Sequence, residues 1–120
     1  MIINNNLFVY YNLHKKVFSV KALEGADKGR VIAHLSELNL GQATFKVSQA
    51  GRKRVLLEKR KNVHAGVVGE WYGTVQAMDS GVSVTYNPYL YDSFVTADTK
   101  QPIFHAREVH LKDRRITAII

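Results

Sequence analysis

Two stretches of this chain carry the chemistry its side chains could do. Residues 52–61 hold six cations, Arg52, Lys53, Arg54, Lys59, Arg60 and Lys61, against the single anion Glu58. Like charges packed this closely repel one another. Fixed positive charge with N–H donors is also what grips phosphate oxygens. A solvated helix face is the bland account of such a run, and a bound anion is the functional one. The second stretch, residues 86–94, sets Tyr86, Tyr89, Tyr91 and Phe94 around Asn87 and Pro88. Aromatic faces stack on nucleobases, and an Asn amide offers a donor and an acceptor to a base edge. The competing account puts Tyr86, Tyr91 and Phe94 in the core, with Tyr89 capping an edge.

Phosphate grip and base stacking are the two halves of a nucleotide site. Its candidate residues are Arg60, Lys61, Asn62 and His64 after the basic run, and Tyr86, Asn87 and Tyr89 in the aromatic loop. Isolated cations on strands add Arg30, which follows Gly29 at a loop-to-strand junction, and Arg107. Arg114 and Arg115 belong to the same class, and each cation of this class, taken alone, reads as a surface residue.

Catalytic chemistry has less to recommend it. The five histidines, His14, His34, His64, His105 and His110, form no His-x-His or His-x-x-x-His pair. With no cysteine, a zinc site would need donors from four separate elements. No serine sits in a Gly-x-Ser-x-Gly setting, and no phosphate-loop or dinucleotide fingerprint occurs. Glu70, Asp79, Asp92 and Glu108 have no spacing that recommends a metal-dependent nuclease. The expectation is a binding protein, not an enzyme, with no metal and no cofactor.

These residues need elements to position them. Leu7 to Leu13 and Val17 to Ala22 are rich in β-branched and aromatic residues around the polar turn His14-Lys15-Lys16. Residues 30–35 and 38–47 read as further strands, the second bulged or broken at Gly41. Ser48 can cap a helix over residues 48–61. Its inward stripe would be Val47, Ala50, Arg54 and Leu57, its last turn would carry Lys59, Arg60 and Lys61, and Asn62 would stop it. Residues 63–72 read as a central strand whose Gly66 and Gly69 leave room for a close backbone approach. Short strands at 82–86 and 94–95, then a hairpin of 103–111 and 114–120 around Lys112-Asp113, complete the chain. The sum is α+β: an antiparallel sheet with one main helix, in a single domain over residues 1–120.

Composition agrees with that assignment. Seventeen Lys and Arg against ten Asp and Glu give a net charge of +7, which attracts nucleic acid, nucleotides or acidic surfaces. No apolar run is long enough for a membrane span, and the first residues lack the pattern of a signal peptide. The absence of cysteine suits a reducing cytoplasm. Exposed sheet edges in so small a domain favour a homo-oligomer.

Tyr11-Asn12-Leu13-His14-Lys15-Lys16, Gly29-Arg30-Val31-Ile32-Ala33-His34, Arg60-Lys61-Asn62-Val63-His64-Ala65 and Tyr86-Asn87-Pro88-Tyr89 resemble a family of small tailed-phage proteins. In length and motif set the chain also resembles the first type of Thoeris anti-defence proteins. Those are non-enzymatic sponges for cyclic ADP-ribose isomers, some of which also take cyclic oligonucleotides. The resemblance implies an α+β oligomer in the host cytoplasm that holds its ligand between subunits. It implies arginines on the pyrophosphate and an aromatic–Asn loop on adenine and ribose. Arg30, Arg60, Arg107, Tyr86 and Asn87 would take those roles, on chemistry more than on positional transfer. Two other functions fit the same residues: a basic phage protein binding nucleic acid, and an inhibitor contacting a host protein.

Overall fold

Alternation of apolar and polar side chains makes half-buried strands. The computed structural model describes residues 6–59, 63–74 and 80–120. These form β1 (Asn6–Asn12), β2 (Val17–Ala22), β3 (Val31–Leu35), β4 (Glu37–Val47), α1 (Gln49–Glu58), β5 (Ala65–Gly73), β6 (Val82–Thr85), β7 (Val95–Thr96), β8 (His105–Lys112) and β9 (Arg115–Ile119). All paired strands run antiparallel, in the order β3-β2-β1-β5-β4-β8-β9-β6-β7. The α+β expectation holds, with sheet dominating.

One face of this sheet carries the core. Val9 pairs with Val20 on one side and Val67 on the other, and Leu38 and Leu40 face Leu111 and Val109. All seven are buried in one continuous cluster with Phe18, Phe45, Phe94 and Ala118. A flat sheet with one short helix could not cover that face, so the sheet curls over it. The Arg114 guanidinium, in the β8–β9 turn, lies 5.0 Å from the centroid of Tyr11 on β1. Strands β1 and β8 are three places apart, which on a flat sheet would be roughly 14 Å. Two irregularities in the β4–β5 register, at Asn39/Leu40 and between Gly41 and Thr44, supply the bending expected near Gly41. Gly66 permits the close approach expected of it: a Cβ there would stand 2.5 Å from the Val9 carbonyl and meet the Phe8 ring.

The helix departs from expectation in length and in rotation. It is capped by Ser48, whose hydroxyl accepts from Gly51 N at 3.2 Å, as its sequence implied. It ends at Glu58, however, because Lys59 turns left-handed (φ 53°) and donates its N–H to the Val55 carbonyl. Asn62, the expected stop, lies outside the described residues, as do Arg60 and Lys61. The buried positions are Gly51 and Val55, not the expected stripe; Leu57 is 83 % exposed. Rotation is set by the Ser48 N–H, which donates to the His64 carbonyl and turns Gly51 inward. The terminal hairpin turns at Asp113-Arg114, one residue later than the sequence suggested, because Lys112 and Arg115 pair across it. Among the described residues no helix is long and apolar enough to cross a membrane.

Candidate functional site

The curl leaves an open cleft of about 800 Å³ at one end of the concave face. It is lined by the end of β1 and its turn, the start of β5, and the residues following β6, with Arg114 and Ile116 on the far side. Four sequence-predicted residues meet there: His64, Tyr86, Asn87 and Tyr89. Tyr86 Oη and His64 Nε2 are 2.7 Å apart. Burial holds the Tyr86 phenol above its ordinary pKa, with Arg52 pulling down and Asp92 adding to the rise. The phenol therefore keeps its proton at neutral pH, and which partner donates in this bond depends on the imidazole tautomer. An aromatic series runs from core to cleft: Phe45 on Phe94 at 5.2 Å, Phe94 on Tyr86 at 5.1 Å, and Tyr86 on His64 at 5.5 Å. The core account of the aromatic stretch holds in full for one of its residues only. Phe94 is core, while Tyr86 is half-buried and shared between core and cleft.

The loop is held from two sides. Asn87 Oδ1 accepts from Tyr89 N at 2.9 Å, and its carbonyl accepts from Leu90 N and Tyr91 N. This leaves Asn87 Nδ2 as the donor it can offer a ligand. From the helix, Gln49 Nε2 donates to the Asp92 carbonyl at 2.8 Å and Arg52 Nε to the Pro88 carbonyl at 3.0 Å. Gly51 lets α1 press against His64, since a Cβ there would be 2.5 Å from His64 Cβ. The basic run is therefore divided in function. Arg52 is a strut for the loop, while Lys53 and Arg54 face solvent and Lys59 caps the helix.

The expected arginines do not gather here. Arg30 lies exposed in the loop before the edge strand β3, and Arg107 is exposed on β8. Neither is among the residues that line the cleft. Arg60, Lys61 and Asn62 lie outside the described residues. Among the described residues, Arg114 and His14 line the cleft, and the added rings are Tyr10, Tyr11 and Phe18. No Asp or Glu among the described residues lines the cleft. Tyr11 and Arg114 are far apart in sequence, and only the curl of the sheet brings them together.

One further cluster looks catalytic but is closed. Ser19 Oγ lies 3.0 Å from His34 Nδ1 and accepts from Asn12 Nδ2 at 3.1 Å. Ser19 is fully buried, so no substrate can reach its oxygen, and the trio ties β1, β2 and β3 together.

A family model described as the Mycobacterium phage L5 gene 82 protein matches residues 1–119. The Gene 82 protein of Mycobacterium phage L5 is 43 % identical over 118 residues, covering 93 % of this chain and 94 % of its relative. No solved structure matches.

Proposed function

Because the chain belongs to the Mycobacterium phage L5 gene 82 protein family, and so is a phage protein, we propose that it acts in the infected cell by holding a nucleotide without turning it over. The observation that carries this reading is the cleft itself. A space of about 800 Å³ suits a mono- or dinucleotide, and ligand sites of this kind run from about 300 to 1,000 Å³. Its walls offer Tyr11, Tyr86 and Tyr89 as stacking faces, Asn87 as an edge donor and, among the described residues, no carboxylate. An anionic ligand with a flat base meets complementary chemistry there. Sequestering a cyclic nucleotide signal, whether a cyclic ADP-ribose isomer or a cyclic oligonucleotide, is the use of such a cleft that benefits a phage.

Calorimetry of the purified protein against ADP, a cyclic ADP-ribose isomer and a cyclic dinucleotide tests this. Saturable binding is expected for at least one, with intact ligand recovered after heat denaturation. Recovery of a cleaved product would make the protein an enzyme, and no binding by any of the three would remove the proposal. The exposed cations Lys53, Arg54 and Lys59 favour a second reading, contact with nucleic-acid backbone. Backbone binding would weaken steeply with salt through counterion release, whereas an enclosed site is screened less.

A further inference from the structure

We propose that Arg114 forms an anion subsite at the rim of the cleft, a phosphate clamp that the fold keeps at the expense of its own hairpin. The inference rests on the nucleotide reading above and assigns the end of the cleft that takes the phosphates. The β8–β9 connection is a two-residue turn in which Asp113 (φ 50°) and Arg114 (φ 70°) both have positive φ. Such turns favour Asn or Asp first and glycine second, since only glycine adopts the left-handed conformation without strain. Asp113 satisfies the first preference. Arg114 violates the second, placing a long charged side chain where the backbone favours none.

Left-handed cations also occur at Lys16, Lys59 and Lys100, so the conformation alone singles out nothing. Position does. Lys59 caps a helix, and Lys100 donates to the Ala97 carbonyl within its own turn. Arg114 instead lines the cleft, with its guanidinium carbon over the Tyr11 ring, 5.0 Å from the centroid. Among the described residues it has no carboxylate partner. A ring contact of this kind fixes the guanidinium plane while leaving its N–H edge to a ligand, and that edge matches two phosphate oxygens. The opposite rim is the β1–β2 turn, where His14 lines the cleft and Lys15 and Lys16 adjoin it. Phosphate at this end and base on Tyr86 and Asn87 at the other would use the whole cleft.

The test compares adenosine with ADP on the wild-type protein and on Arg114→Gly, together with ligand-free melting of both. On the wild type, ADP is expected to bind about tenfold or more tightly than adenosine, and Arg114→Gly should abolish most of that advantage. Arg114→Lys, which keeps charge without the planar fork, should retain part of it. The Tm of ligand-free Arg114→Gly should stay within about 2 °C of wild type or rise, as relief of the left-handed arginine offsets the lost ring contact. An ADP advantage that survives in Arg114→Gly overturns the clamp, and a Tm loss of about 5 °C or more makes Arg114 a structural residue. If neither adenosine nor ADP binds, pyrophosphate alone decides the subsite, and the nucleotide reading stands or falls on the cyclic ligands above. Binding to wild type but not Arg114→Gly upholds it, and no binding to wild type overturns it.

Discussion

Gly51→Ala sets two opposing effects against each other, and their magnitudes decide the sign. Alanine is the better helix former by up to about 1 kcal/mol, so propensity alone predicts a more stable protein. The packing predicts the reverse. A Cβ at position 51 would stand 2.5 Å from His64 Cβ, an atom fixed directly to the β5-flanking backbone. That backbone is tied to the helix start by the Ser48 N–H bond to the His64 carbonyl at 2.7 Å. Neither side can rotate away, so α1 must lift from the sheet. Overpacking of this type costs about 1–3 kcal/mol. The net expectation is a loss of about 1–2 kcal/mol, seen in urea unfolding as a lower midpoint at unchanged slope and in melting as a fall of about 3–8 °C. Lifting the helix also draws Gln49 and Arg52 from the aromatic loop, so nucleotide binding should weaken in parallel. In a His64→Gly background the Gly51→Ala cost should disappear. A single mutant as stable as wild type, or more so, would refute the close helix–strand contact on which the loop's placement depends.

Two further outcomes follow from the same site. Arg52→Ala removes the bond to the Pro88 carbonyl and should cost about 0.5–1.5 kcal/mol, with increased hydrogen exchange confined to residues 86–94; unchanged exchange there would show that Arg52 is not the strut. The Tyr86 phenol, its pKa raised by burial, binds its proton more tightly in the folded than in the unfolded chain. Its contribution is thus fully present below the ordinary tyrosine value near 10 and is lost as pH rises through the folded value. Urea unfolding between pH 9 and about 11.5 should show this decline, and Tyr86→Phe should flatten it. A decline identical in both proteins would assign it elsewhere.

Much of this architecture is local, and the sequence determined it. The β-branched and aromatic strand Val17–Ala22, the polar turn before it, the Ser48 cap and the glycine at 66 each follow from interactions within a few residues or from a backbone that must come close. The aromatic–Asn loop was legible for the same reason, since Asn87 organises its own turn. Tertiary structure decided which cation reaches the cleft. Arg30 and Arg107 looked equivalent to Arg114 as isolated cations, and the helix end looked better than any of them. Neither of the first two lines the cleft, and the curl of the sheet carries the third across to Tyr11. The rotation of α1 was likewise settled by its bond to His64 and by the missing side chain at Gly51, not by its own weak pattern of apolar residues. Local physics could name the chemistry of the cleft. Only long-range pairing could say which residues share it.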